Sequence, residues 1–367
     1  MNKLLLSFVL VAVVACQPQD PLSKVLEESK DPVLRMVMED PATYELQIRY
    51  TQIDATQNGY AFTDHEYGWQ QGQYFYPAST VKLPMALVAT EFMQAQALPL
   101  DTPYFIMGDS LQHTVADDIR QILAVSDNAA YNRLYELIGR DAVNGSFAQK
   151  GLKIRLAHRL SVADAAIPQR DSLAFVIAGD TLWRGGGTDR TLLPNLGLGT
   201  VKGKGFMRGD SLVSEPMDFS MKNDYPLDSQ HELLKRLFFA EQHSPEHSFQ
   251  TDLSYLLDCM YLPPRKQAYE ESEYYDGYVK FLMHGDTEER MPDYLRQYNK
   301  VGYAYGTLTD ASYFVDQKND IRFILSATIL VNEDQVFNDD NYEYDTVGIP
   351  FLAALGREIY QMELNRK

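Results

Sequence analysis

A chain of 367 residues with 45% hydrophobic and 23% charged side chains has the make-up of a folded protein with room for a sizeable core, which excludes global disorder. Its formal charge of −18 argues against a surface that grips phosphate backbones, so nucleic acid is not an expected partner. The acidity reads as a solubility device.

The chain opens with Met1-Asn2-Lys3 and an apolar run, Leu4 to Val14, that is too short to span a bilayer and ends at Ala15-Cys16. This is the pattern of an export signal, residues 1–15. Val13-Val14-Ala15-Cys16 resembles the lipobox of bacterial lipoproteins. That resemblance implies cleavage before Cys16, lipidation of Cys16 and a protein tethered outside the cytoplasm, at the periplasmic face of a bacterial membrane; the alternative is an ordinary signal-peptidase site and a secreted product. With Cys16 consumed, Cys259 has no cysteine to pair with, and its place in the apolar stretch Leu256 to Leu262 makes it a core residue.

Residues 16–40 read as a polar tether followed by a helix around Lys24 to Met38. Tyr44, Leu46, Ile48 and Tyr50 then alternate with polar residues as a half-buried strand does. Asn58-Gly59 is a turn signal, and Tyr60 to Thr63 completes a hairpin. From Ser79 to about residue 290 the spacing becomes helical: Val115, Ile119, Ile122 and Leu123 share one face, and Leu134, Leu137 and Ile138 another before Gly139. Tyr303 to Val315 and Ile321 to Val331 read as strands, the second so continuously apolar that it belongs at the centre of a sheet. Phe351, Leu352, Leu355, Ile359 and Met362 mark an amphipathic last helix. The acidic run Glu333 to Asp345 reads as a solvated loop.

Strands at both ends with helices between them predict an α+β fold. One lobe comprises residues 41–77 plus 299–367, and a helical lobe, 78–298, is inserted into it with a long insertion at about 203–290. A cleft is expected where the lobes meet.

Three short motifs put chemistry in that cleft. Ser79-Thr80-Val81-Lys82 sets a hydroxyl and an amine on one helical turn, a nucleophile with its own base. Ser126-Asp127-Asn128 falls in a break between two helices, where it could aim side chains into a cleft or simply cap the next helix. Lys300-Val301-Gly302 sits at the start of a strand, where the lysine could bring charge to a site or merely keep a sheet edge solvated.

Together and in this order the motifs resemble those of the penicillin-recognising serine enzymes, most closely the class A β-lactamase family. The resemblance implies a five-stranded antiparallel sheet built from both chain ends, flanked by terminal helices, with an inserted all-helical lobe. It implies Ser79 as nucleophile, Lys82 as its base and Ser126 as proton donor to the leaving nitrogen. Asn128, Lys300, Gly302 and Tyr303 would bind substrate, with the N–H groups of Ser79 and Tyr303 receiving the oxyanion, and Asp127 would organise its loop. No cofactor or metal is implied; Pro245 spoils the helical alignment of His243 and His247.

Two departures limit the inference. No glutamate occurs between Glu136 and Glu215, where the family carries its deacylating base, although Asp164 falls in the interval. Val301 replaces a threonine or serine whose hydroxyl binds the substrate carboxylate. The expected activity is that of a monomeric serine hydrolase acting on an amide or ester, a β-lactam or cell-wall peptide. The alternatives are a D-alanyl-D-alanine peptidase-like enzyme and a lipoprotein that binds penicillin or peptidoglycan without turnover.

Overall fold

The computed structural model describes residues 19–68, 73–184 and 186–366; the export signal and Cys16 lie outside them. Strands β1 (Gln47–Thr56) and β2 (Gly59–Tyr67) form the expected hairpin, with Gly59 at φ 125°, a value that favours glycine. At the other end of the chain β3 (Leu295–Ala304), β4 (Thr307–Asp316) and β5 (Ile321–Leu330) form a meander. The order is β3-β4-β5-β1-β2, antiparallel throughout, so the apolar β5 is central and β3 lies at an edge. Lys300 is in the middle of β3, not at a strand start, because pairing already begins at Leu295.

The C-terminal helix Ile349–Arg366 covers one face of the sheet together with two short N-terminal helices. Sequence reading gives one helix around Lys24 to Met38. The structure has two, Pro21–Glu28 and Pro32–Glu39, because Pro32 cannot continue a helix and Asp20 and Asp31 each cap a new one. Leu34, Ile48, Phe314, Phe323, Phe351 and Leu355 fill the core between helices and sheet.

On the opposite face, helix Leu227–Phe238 docks through His231, whose ring bridges Thr51 Oγ1 at 2.7 Å and Ser326 Oγ at 2.9 Å. Behind it, helix Lys82–Ala95 is apolar around nearly its whole circumference and is enclosed by helices Val115–Ala124, Asn128–Ile138 and Arg140–Gln149.

This lobe is not all-helical. Strands Pro103–Ile106, His113–Thr114, Leu173–Ile177 and Asp180–Arg184 make a small sheet. The five-residue run Leu173–Ile177 is too short to display a period, and Ala178-Gly179, at φ 52° and 87°, turns it into a hairpin. A second hairpin, Gly205–Arg208 with Ser211–Val213, pairs in parallel with Val336–Phe337. The acidic run is therefore more than a solvated loop: Phe337 is buried with Tyr74, Tyr76, Ala78 and Phe219 in a third hydrophobic cluster. No helix among the described residues is long and apolar enough to cross a membrane.

Leu355 is fully buried against the sheet. Leu355→Ala should lower the unfolding free energy by about 2–5 kcal/mol, measured as a reduced urea midpoint at unchanged m-value.

Candidate active site

The turn before the nucleophile is strained. Ala78 takes φ 46°, a left-handed conformation that costs an alanine about 1–2 kcal/mol. It is held by Thr80, whose amide and hydroxyl both donate to Pro77 O, at 3.1 and 2.8 Å. Ser79 follows in the short 3₁₀ turn Ala78–Val81 that leads into helix Lys82–Ala95. Its N–H is among the first donors of that helical segment, which have no intrahelical acceptor.

Strand β3 presses against this turn. A Cβ on Gly302 would lie 2.5 Å from Pro77 O and 2.8 Å from Ser79 N. Only glycine lets the two backbones approach so closely, and the contact fixes Tyr303 beside the nucleophile.

Beneath Ser79 the three motifs meet. Lys82 is fully buried and its Nζ donates to Ser126 O and, at 3.2 Å, to Ser126 Oγ. Lys300, also buried, donates to the same Oγ at 2.9 Å and to Val301 O at 2.9 Å. Burial pulls the Lys82 amine down to about 7, against the opposite pull of Asp127. Burial, and next the charge of Lys82, hold Lys300 well below the usual lysine value. Two ammonium groups sharing one hydroxyl repel each other, so a neutral amine is available near pH 7 without any nearby carboxylate base. The Lys82 amine is turned toward Ser126; catalytic contacts to a nucleophile commonly tighten only with substrate bound.

Ser126 adopts φ 59°, which directs its hydroxyl between the lysines. Asp127 caps helix Asn128–Ile138 by accepting from Ala130 N at 2.7 Å, the structural role expected of it. Asn128 lines the cleft and donates from Nδ2 to Ser161 Oγ at 2.9 Å. Val301 faces the sheet core and not the cleft, as strand alternation requires of a neighbour of Lys300.

The cleft above this cluster holds about 660 Å³. Ser79, Asn128 and Tyr303 line it, and so do residues that sequence reading missed: Tyr76, His158, Leu160, Lys222, Tyr305 and Tyr344. The paired tyrosines Tyr342 and Tyr344 within the acidic run were a usable signal for a wall, while His158 and Lys222 carried none. His158 is buried, with Nδ1 2.6 Å from Arg159 O, and burial lowers its basicity to about 4, so the ring is neutral.

Segment 158–165 is stitched in place. Asn132 clamps both backbone groups of Leu160 at 2.9 Å, and the Arg159 guanidinium holds Glu136 and, each at 2.8 Å, the carbonyls of Ile167 and Gln169. Asp164 is exposed at φ 53° and lies outside the lining of the Ser79 cleft. The segment's cleft-lining residues, His158, Arg159, Leu160, Ser161, Val162 and Ala165, include no carboxylate.

The α+β fold thus gathers Lys82, Ser126 and Lys300 into one hydrogen-bonded cluster beside the Ser79 turn, the arrangement that the resemblance to the active-site-serine enzymes implies. Residues 37–180 match the model of the β-lactamase enzyme family. The chain's fold resembles that of a class A β-lactamase from Mycobacterium abscessus, at TM-score 0.52 and 14% identity, with 90% of this chain and 97% of that one covered. L2 complexed with relebactam aligns at TM-score 0.53 and 14% identity, over 93% and 98% of the chains. A PBP-A variant in an acyl-enzyme complex with penicillin G aligns at 0.51 and 15% identity, over 94% and 98%. No curated protein sequence matches.

Gly302→Ala should slow modification of Ser79 on the order of 100-fold, because a shift of about 1 Å in the reacting groups suffices for that; stopped-flow acylation of a folded variant measures it. A base role for Lys82 requires its unprotonated form. Acylation should therefore rise with pH through about 7 and level off above it.

Proposed function

We propose that the protein is an extracytoplasmic active-site-serine hydrolase that forms an acyl-enzyme on Ser79 with a β-lactam or a cell-wall peptide and releases it slowly. The observation that carries this reading is the Ser126 hydroxyl held between two buried lysines directly under the nucleophile turn.

In this mechanism Ser79 Oγ attacks the carbonyl carbon and its proton passes to neutral Lys82. The tetrahedral oxyanion sits between the N–H groups of Ser79 and Tyr303. As the intermediate collapses, the C–N bond breaks, Ser126 gives its proton to the leaving nitrogen, and Lys82 returns a proton to Ser126. Asn128, freed from Ser161, holds the substrate amide. Lys300 holds the Ser126 hydroxyl at the leaving-group end and opposes a second charge on Lys82. Gly302 admits the substrate-binding edge of β3 to the nucleophile.

Slow release follows from the lining of segment 158–165, which offers the acyl-enzyme an apolar Leu160 and no carboxylate to activate water. A peptidase acting on D-alanyl-D-alanine peptides, or a penicillin-binding protein with little turnover, fits that cleft better than an efficient penicillinase. The solved acyl-enzyme of PBP-A, a protein of the same fold, is in keeping with it. The lipobox-like Val13 to Cys16 supports a lipid anchor at Cys16 and a membrane-tethered protein.

A fluorescent penicillin should label the wild type, with the label persisting after free penicillin is removed, and should not label Ser79→Ala. Lys82→Ala should lose acylation by orders of magnitude while staying folded. Equal labelling of Ser79→Ala would sink the mechanism, and label that decays within a turnover would remove the slow step. Expressed in bacteria, the wild type should incorporate labelled palmitate and Cys16→Ala should not; failure of both to incorporate it removes the anchor.

A further inference from the structure

Val301 is buried in the sheet core and turned away from the cleft, so it contributes nothing to holding a negative group there. The neighbouring cations are committed. Lys300 is spent on Ser126 and Val301 O, and Arg159 on Glu136 and loop carbonyls. Lys222 is different. It lines the cleft with Ser79 and Tyr303, its Nζ lies 5.6 Å from the centre of the Tyr305 ring, and no carboxylate pairs with it among the described residues.

Its position is built. Phe219, three residues earlier, is fixed in the third hydrophobic cluster, and the Lys222 amide donates to Phe219 O at 2.9 Å. The next residue, Asn223, is fully buried and accepts from Ala157 N at 2.7 Å. Arg155 Nη1 holds Ser220 O at 2.8 Å. The ammonium is thus presented from a rigid turn, steadied by a tyrosine face. Its charge reaches inward, since it contributes to keeping His158 neutral. Asp340 is the carboxylate of the same lining, and it makes no ion pair with Lys222.

We propose that Lys222 is the anion anchor of this cleft and selects amide or ester substrates whose acyl part carries a carboxylate. The inference rests on the acyl-enzyme reading of Ser79. The acyl side is assigned because Ser126 and Lys300, which mark the leaving-group end, are not part of the lining that holds Lys222, whose ammonium lies over Tyr305 and acts on His158. On a chain with a net charge of −18, one uncommitted cation beside the nucleophile discriminates strongly against a general background of repulsion.

The test uses two p-nitrophenyl esters, the neutral valerate and the anionic hemiglutarate, and reads the pre-steady-state acylation rate of the full-length protein. In the wild type the anionic ester should be preferred. Lys222→Met should lower the anionic-to-neutral ratio about tenfold with the neutral rate unchanged, Lys222→Glu should lower it further, and Lys222→Arg should restore it. Added salt should erode the wild-type preference. An unchanged ratio in Lys222→Met overturns the anchor while leaving Ser79 in place, provided Ser79→Ala is inert. If the wild type releases no nitrophenol from either ester and takes no fluorescent penicillin, the Ser79 reading and the anchor fall together.

Discussion

Two lysine side chains buried within reach of one serine hydroxyl impose the constraint on which the rest of this structure depends. Removing ammonium groups from water is costly, and placing two side by side adds repulsion, so the arrangement persists only if at least one amine gives up its proton. That electrostatic stress is the source of the base. The strain at Ala78 and the left-handed backbone of Ser126 belong to the same arrangement, since each aims a reacting group that relaxed geometry would turn away. The surrounding fold pays for both through its hydrophobic clusters, which hold the turn, the loop and β3 against one another.

The parts of this site that were legible in sequence are those set by local geometry. Ser79 and Lys82 are three residues apart on one turn, Asp127 is a capping residue where a helix starts, and Val301 must face away from whatever Lys300 faces. The central strand was readable because Ile321 to Leu330 is apolar on both faces. What sequence could not show were walls assembled from distant segments. Tyr76, His158, Lys222, Tyr305 and Tyr344 come together only through the insertion and the 333–345 loop, and nothing in any one of them predicts the other four. The hairpin at Ala178-Gly179 escaped because a five-residue apolar run has too few residues to declare its period.

Asp164 illustrates how a position can match an interval and still not serve. It falls where the family pattern seeks a carboxylate, yet Arg159 and Asn132 lace the segment so that Leu160 lines the cleft and Asp164 turns outward. The residues that the proposed acylation needs are thus gathered in one place, while segment 158–165 brings no carboxylate into the cleft.

The location of Lys300 on an edge strand has an energetic meaning. Ser126 and Lys300 are 174 residues apart in the chain, so their meeting closes a long loop at an entropic cost, and β3 has a sheet neighbour on one side only. The strand that completes the charge cluster is therefore also among the easiest to detach, in the sense that edges open at lower free energy than sheet centres. The lysine cluster of this molecule is consequently a long-range attainment: Lys82 and Ser126 gain Lys300 only when an edge strand from the far side of the sequence has docked beside them.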